Sequence, residues 1–244
     1  MTPIPVRILR AAARVALAVV ALPATASLRA QSAPSADTVV RGLPLTTIAA
    51  KRSGDAVAVF LTGDGGFAEL DKQVATVLAD SGIDVVALDT RAYLWKRRTP
   101  AETAEDVGRI ARAYSARWNR PRILLVGYSH GANLIPFIAT RLAPDVASRV
   151  GLLAMLGLSP GASFQFHFAD LFRDIQRSTD LPIPPELEKL RGHHMLCIFG
   201  HDEDKSPCPT ADPTLIARHE LPGDHHFDRD YRTIGDIIVN AARR

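Results

Sequence analysis

The sequence is poor in the features that mark specialised protein classes. It has two cysteines in 244 residues, too few for a small scaffold held together by many disulfides. It shows no internal repeat, coiled-coil heptad or low-complexity tract, which excludes solenoid and fibrous architectures. The apolar run near its start, "VALAVVALPATAS", is shorter than the roughly 20 residues a spanning helix requires. No Gly-Lys-Ser/Thr follows its glycine-rich turn "TGDGGF", so a nucleotide phosphate cradle is not expected. The adjacent pairs His193–His194 and His225–His226, with "HDED" between them, lack the helical spacings that place two imidazoles on one ion. Neither a metal nor a cofactor is expected.

Charge excludes a further class. The chain carries 29 Lys+Arg against 26 Asp+Glu, but the first 26 residues hold Arg7, Arg10 and Arg14 and no acid. A basic start, a short apolar run and Ala24-x-Ala26 fit a secretory signal peptide, with cleavage at Ala26 or as late as Ala30. Its removal leaves equal numbers of basic and acidic residues, so no nucleic-acid partner is inferred. Export, in a bacterium to the periplasm, also favours a disulfide between Cys197 and Cys208, since a free exposed thiol is a liability in an oxidising compartment.

What remains is ordinary globular composition, 47% hydrophobic and 23% charged, at a length that suits one medium domain. After a polar linker over residues 27–37, a two-beat pattern occupies residues 38–244. The strand-like runs are "AVAVFLTG", "IDVVALDT", "RILLVGYS", "RVGLLAMLGLS", "HMLCIFG" and "LIARHELP". Helical periodicity fills the intervals, as in "FAELDKQVATVLADSG" and the final "DYRTIGDIIVNAAR". One helix start is spelled out: Thr99 as N-cap, Pro100 at the first position and Glu102 completing a capping box. Alternating strands and helices predict an α/β fold with a mostly parallel sheet covered on both faces. Ligands of such sheets bind beyond the carboxyl ends of the strands. The unusual loops "TGDGGF", "GYSHG", "SPGASFQFHF", "GHDEDKSPC" and "PGDHHF" all fall at those ends.

"GYSHG" is a Gly-x-Ser-x-Gly that closes a buried strand and opens a helix, the context of a nucleophile elbow. Ser129 is therefore the candidate nucleophile, and a serine hydroxyl needs a base and an orienting acid. In this fold the order is serine, acid, histidine. His225 soon after Gly223 is the favoured base, with His226 as the alternate. The acid lies in "GHDED": Glu203, three residues after the glycine ending the strand, with Asp204 and Asp202 as alternatives. The oxyanion hole is expected from the His130 amide and from Asp64 or Gly65. "RAYLWKRRTP" mixes Tyr93, Leu94 and Trp95 with Lys96, Arg97 and Arg98. Guanidinium groups suit a phosphate diester and the aromatics suit glycerol or acyl surface, so Tyr93, Trp95 and Arg98 are candidate substrate-binding residues. The Phe-rich "FQFHFADLF" is a candidate second wall or small cap. A plainer reading makes the basic residues a solvated face and the phenylalanines core.

Taken together, "LTGDGGF", "LDTRAYLWKRRTPAETAEDV", "LLVGYSHGANLIPF", "CIFGHDEDKSPC" and "LPGDHHFDRDY" resemble the VirJ/AcvB group of exported α/β-hydrolase-like virulence proteins. The single domain is similar to VirJ rather than to the longer AcvB. The family more often has Trp where this chain has Phe67, and Phe where it has His130. The resemblance implies a periplasmic serine ester hydrolase acting on aminoacylated phosphatidylglycerol, such as the lysyl ester, at the membrane surface. It also implies a virulence- and secretion-associated role, without identifying a secretion-system partner. Other acyl hydrolases, thioesterase or peptidase, are the rival enzymes. A non-catalytic periplasmic binding or chaperone factor on the same fold is the rival class.

Overall fold

The computed structural model of the chain describes residues 36–166 and 178–244. The signal-peptide reading, the linker up to residue 35, and residues 167–177, which include the rest of the Phe-rich stretch, lie outside the described residues. The chain runs α1 (Ala36–Val39), β1 (Leu45–Ile48), β2 (Ala56–Leu61), α2 (Glu69–Asp80), β3 (Asp84–Leu88), α3 (Thr90–Tyr93), α4 (Pro100–Trp118) and β4 (Arg122–Tyr128). It continues through α5 (His130–Ala139), α6 (Pro144–Ala147), β5 (Val150–Leu156), β6 (Gly161–Ala162), β7 (Leu181–Pro182), α7 (Pro184–Glu188), β8 (Met195–Gly200), β9 (Ala217–Leu221) and α8 (Tyr231–Ala242).

The described residues form a seven-stranded sheet in the order β1-β3-β2-β4-β5-β8-β9, with β6 and β7 pairing separately. Strands β3, β2, β4, β5, β8 and β9 are parallel, and β1 runs antiparallel beside β3. Strands β2, β3 and β8 are buried along their whole length, as sheets covered on both faces require. Alternation divides β2 cleanly. Val57, Val59 and Leu61 pack on one side with Val107 and Ile110 of α4 and Leu134 and Ile135 of α5. Ala56, Ala58 and Phe60 pack on the other side with Val74 and Leu78 of α2 and Ile234 and Ile238 of α8.

Local chemistry sets the helix ends. Thr99 accepts a hydrogen bond from the Glu102 amide at 3.1 Å, and the Glu102 carboxylate accepts one from the Thr99 amide at 2.8 Å. Pro100 stands at the first helical position and Asn119, at φ 53°, ends α4 in the left-handed region, where Asn is better tolerated than most residues. The expected capping box is thus present.

The chain leaves β2 for β3 on one side, then crosses to β4 on the other. The strand order therefore reverses at β2 and β4, which opens a crevice at their carboxyl ends. The turn Thr62–Phe67 and Ser129 both emerge there.

Candidate active site

Ser129 caps α5 with φ 53° and ψ −120°, a conformation that costs a non-glycine residue on the order of 1–3 kcal/mol. Neighbouring backbone holds it: the Ser129 amide donates to the Leu156 carbonyl at 2.8 Å, and the Ser129 carbonyl accepts from the Asn133 amide at 3.1 Å. The flanking glycines follow from crowding. A Cβ on Gly127 would lie 2.6 Å from the Gly131 carbonyl oxygen, and one on Gly131 would run into the carbonyl of Leu61. Strand, helix and the preceding loop meet backbone to backbone, and Ser129 remains at the apex, only partly buried.

Of the three carboxylates between residues 202 and 204, Glu203 is the one that meets a histidine. Its Oε1 lies 2.5 Å from His225 Nδ1, and its Oε2 accepts the Gly200 amide at 2.9 Å. Asp202 and Asp204 point to solvent. The His225 ring lies over Gly157, where a Cβ would sit 2.5 Å from its Cε1, and 5.2 Å from the ring of Tyr128. Gly157 follows Leu156, which holds the Ser129 amide, and Tyr128 precedes Ser129. The imidazole is thus packed against Tyr128, the residue before the nucleophile, and against Gly157, next to the residue that holds the Ser129 amide; with Nδ1 taken by Glu203 its other ring nitrogen is Nε2. His226 is exposed, and its Nδ1 is 3.1 Å from the Tyr128 hydroxyl. Burial, reinforced by the Asp71 charge, pushes that hydroxyl far above the ordinary tyrosine range.

The acidic loop is stapled at both ends. Cys197, inside β8, and Cys208, in a short 3-10 turn, form a disulfide across a Cα–Cα distance of 6.2 Å. The loop between them contains Glu203. Two further bonds, His201 amide to Leu221 carbonyl at 2.8 Å and Asp202 amide to Gly223 carbonyl at 3.0 Å, tie it to the histidine turn.

In the turn after β2, most amides are committed. Thr62 donates to Leu88, Gly66 to Gly63, and Gly63 and Ala68 to the two oxygens of Asp71 at 3.4 and 3.1 Å. Among the described residues this leaves the amides of Asp64, Gly65 and Phe67 without an acceptor. Two of these are the sequence-expected donors, and they share the crevice with the His130 amide at the start of α5, where backbone N–H groups project from the helix end. Asp71 escaped the sequence reading. It is 1% exposed, and burial pushes its carboxyl up to about 6. The signal was present as an acid at the third helical position after a glycine-rich turn, where it can gather loose amides.

Beside this turn lies a cleft of about 630 Å³ bordered by Gly65, Asp89, Arg91, Trp95, Lys96 and Arg98. Trp95 is 66% exposed and stacks on Phe166 at 5.8 Å, with the Arg91 guanidinium 5.6 Å from the same ring. Tyr93 departs from expectation. It borders the cleft but is 3% exposed, and its hydroxyl donates inward to Asp106 at 2.8 Å. Helix α3 turns it toward the core, so it supports the Arg98 guanidinium from below at 4.8 Å instead of offering a polar group to a ligand. The backbones of Leu94 and Arg98 bond to Phe166 and Phe164 at 2.9 and 2.8 Å, and both phenylalanines are buried in the hydrophobic core behind the cleft-lining segment, as the plainer reading of the stretch has it.

Solved structures share the architecture. MenH from S. aureus superposes with a TM-score of 0.59 at 13% identity, covering 82% of this chain and 97% of that one. Est1E from Butyrivibrio proteoclasticus gives 0.56 at 12% identity, covering 82% and 93%. An alpha-beta serine hydrolase homologue from Coxiella burnetii gives 0.57 at 14% identity, covering 80% and 89%. At such identities the likeness is one of fold, and the fold is that of the α/β hydrolases. No curated protein matches the chain in sequence. The family model described as bacterial virulence protein (VirJ) matches residues 55–244, the whole span from β2 to the final helix, and the chain belongs to that family.

Proposed function

We propose that this chain is a serine ester hydrolase whose triad is Ser129, His225 and Glu203. The observation that carries the reading is the convergence of the loops after four strands. The strained elbow after β4, the bonded Glu203–His225 pair after β8 and β9, and uncommitted amides after β2 stand at the carboxyl ends of the strands, with Ser129 beside Gly63 and His225 over Gly157. In the step this arrangement supports, Ser129 Oγ attacks the ester carbonyl carbon while His225 Nε2 takes the hydroxyl proton. The developing oxyanion is met by the amides of His130 and Asp64. As the intermediate collapses, the C–O bond breaks and the imidazolium returns its proton to the departing alcohol. Water then repeats the sequence on the acyl-serine, releasing the acid and the free hydroxyl.

For substrate we propose an aminoacyl ester of phosphatidylglycerol, such as the lysyl ester, hydrolysed at the periplasmic membrane surface after export. The cleft supplies the complementary chemistry. Arg109, Arg112, Arg120, Arg122 and Arg141 are all paired with carboxylates, whereas Arg91, Lys96 and Arg98 pair with none among the described residues. Three cations beside an exposed indole suit a phosphate diester with its glycerol. Asp89 uses Oδ1 to cap α3 at 2.9 Å, and its Oδ2 faces the Gly66 backbone, a carboxylate placed for an amino group.

The test is active-site labelling by a fluorophosphonate, followed by turnover of p-nitrophenyl butyrate and of lysyl- and alanyl-phosphatidylglycerol vesicles. Wild type should label and turn over, and Ser129→Ala should do neither. Equal labelling of the two proteins removes the hydrolase reading and favours a non-catalytic factor. Butyrate turnover without release of an amino acid from either lipid removes the substrate proposal alone.

A further inference from the structure

His130 carries more than a backbone amide. Its side chain is 8% exposed, with Nδ1 2.8 Å from Asp64 Oδ1 and Nε2 2.8 Å from the Ser163 carbonyl oxygen. Asp64 is itself a residue whose amide has no acceptor among the described residues. The two backbone donors thus belong to a pair of residues joined side chain to side chain. The ring of contacts is closed a second time at Gly131, where the carbonyls of Leu61 and Thr62 leave no room for a Cβ. Two points of attachment, one through backbone and one through side chains, define the distance between the amides.

We propose that His130 is the positioning residue of the oxyanion hole, a cationic clasp that holds the Asp64 amide at its working distance from the His130 amide. The inference rests on the reading of Ser129 as nucleophile. The Ser163 carbonyl is within hydrogen-bond distance of Nε2 and the Asp64 carboxylate stands at ion-pair distance from Nδ1, so a doubly protonated ring meets both oxygens with an N–H. Loss of one proton leaves a bare ring nitrogen facing an acceptor lone pair, and one arm of the clasp opens. The clasp also places positive charge beside the atom that becomes negative in the transition state. Among the described residues, the charged and polar groups near the clasp come from several segments. Asp64 faces Nδ1, and the segment after β5 offers the Ser163 carbonyl. Asp71 accepts the Gly63 amide of the same turn, the Asp89 carboxylate lies beside Gly66, and the Glu203–His225 pair lies against Gly157.

A positioned donor acts on the transition state and not on ground-state binding, so its loss lowers kcat and kcat/KM together. His130→Phe is expected to lower kcat for p-nitrophenyl butyrate by about 10- to 100-fold, below the full loss of one donor, with KM changed by less than about 3-fold. Amide hydrogen exchange over residues 63–68 should quicken in the same variant. Asp64→Asn can donate from its amide to a neutral imidazole, which then donates to Ser163. It should retain several-fold more kcat than Asp64→Ala. His130→Gln, able to keep one bond, replaces the Phe variant if that one does not fold. Wild-type kcat and exchange in His130→Phe, a change confined to KM, or equal activity of Asp64→Asn and Asp64→Ala would each overturn the clasp. Failure of the hydrolase reading is separate: Ser129→Ala then turns over the ester as fast as wild type, and exchange at 63–68 still decides the clasp.

Discussion

Replacing Gly157 by alanine should disable the site without altering any group that takes part in the chemistry. Gly157 has φ +62°, and its amide donates to the Ile198 carbonyl at 2.9 Å, fixing it between β5 and β8. A methyl group there would begin 2.5 Å from His225 Cε1, 2.8 Å from Nδ1 and 3.3 Å from Glu203 Oε1. Ordinary contact starts at 3.4 Å, so the imidazole must retreat by about 0.9 Å, a displacement of the size that costs about 100-fold in rate. That is about 3 kcal/mol of transition-state stabilisation. The left-handed backbone adds about 1–2 kcal/mol to the cost of folding for any residue with a Cβ. The assay is kcat for p-nitrophenyl butyrate together with urea unfolding, so that the two losses are measured apart. A cycle with His225→Ala isolates the cause: in that background the alanine at 157 should lower residual activity no further. Wild-type kcat in folded Gly157→Ala, or an undiminished effect when His225 is gone, would refute the placement of the base.

Three further outcomes are expected. Glu203→Gln should lower kcat by about 100-fold or more, because the imidazole loses its anionic orienter, while Asp202→Asn and Asp204→Asn stay within about 3-fold; rates of all three within that range would count against Glu203. For Asp71 the folded carboxyl titrates at about 6 against 3.8 for the free group, so between those values the folded chain holds a proton that the unfolded chain has released. Its contribution is full below about pH 4 and about 3 kcal/mol is lost as pH rises through 6; urea unfolding of wild type and Asp71→Asn should diverge by that order between pH 4 and 7, and parallel curves would refute the shift. Replacing Cys197 and Cys208 by alanine should cost about 2–3 kcal/mol of stability from the freed loop and lower kcat more than KM, since the loop carries Glu203; unchanged kcat would show that the staple does not position the acid.

Legibility in the sequence followed the range of the interactions. The capping box of α4 was readable because Thr99, Pro100 and Glu102 lie within three residues of one another. Strands β2, β3, β4, β5 and β8 were readable as continuous apolar runs, since burial on both faces leaves little room for polar side chains. Strand β1 was missed: its four residues, "LTTI", show no alternation and none is fully buried at the sheet edge, and they become a strand only by pairing with β3. The glycines around Ser129 announced a tight turn, but only the folded chain shows that they face each other and the end of β2.

Composition, periodicity and local spacing were enough to establish an α/β chain with a serine at a strained strand-to-helix turn, because these depend on neighbours along the backbone. The choice of Glu203 over Asp202 and Asp204, the inward turn of Tyr93 onto Asp106, and the bridge from His130 to Asp64 and Ser163 depended on folding. Each joins groups between 13 and 66 residues apart, and side chains that far apart in sequence meet only where the packed sheet brings their loops to one edge.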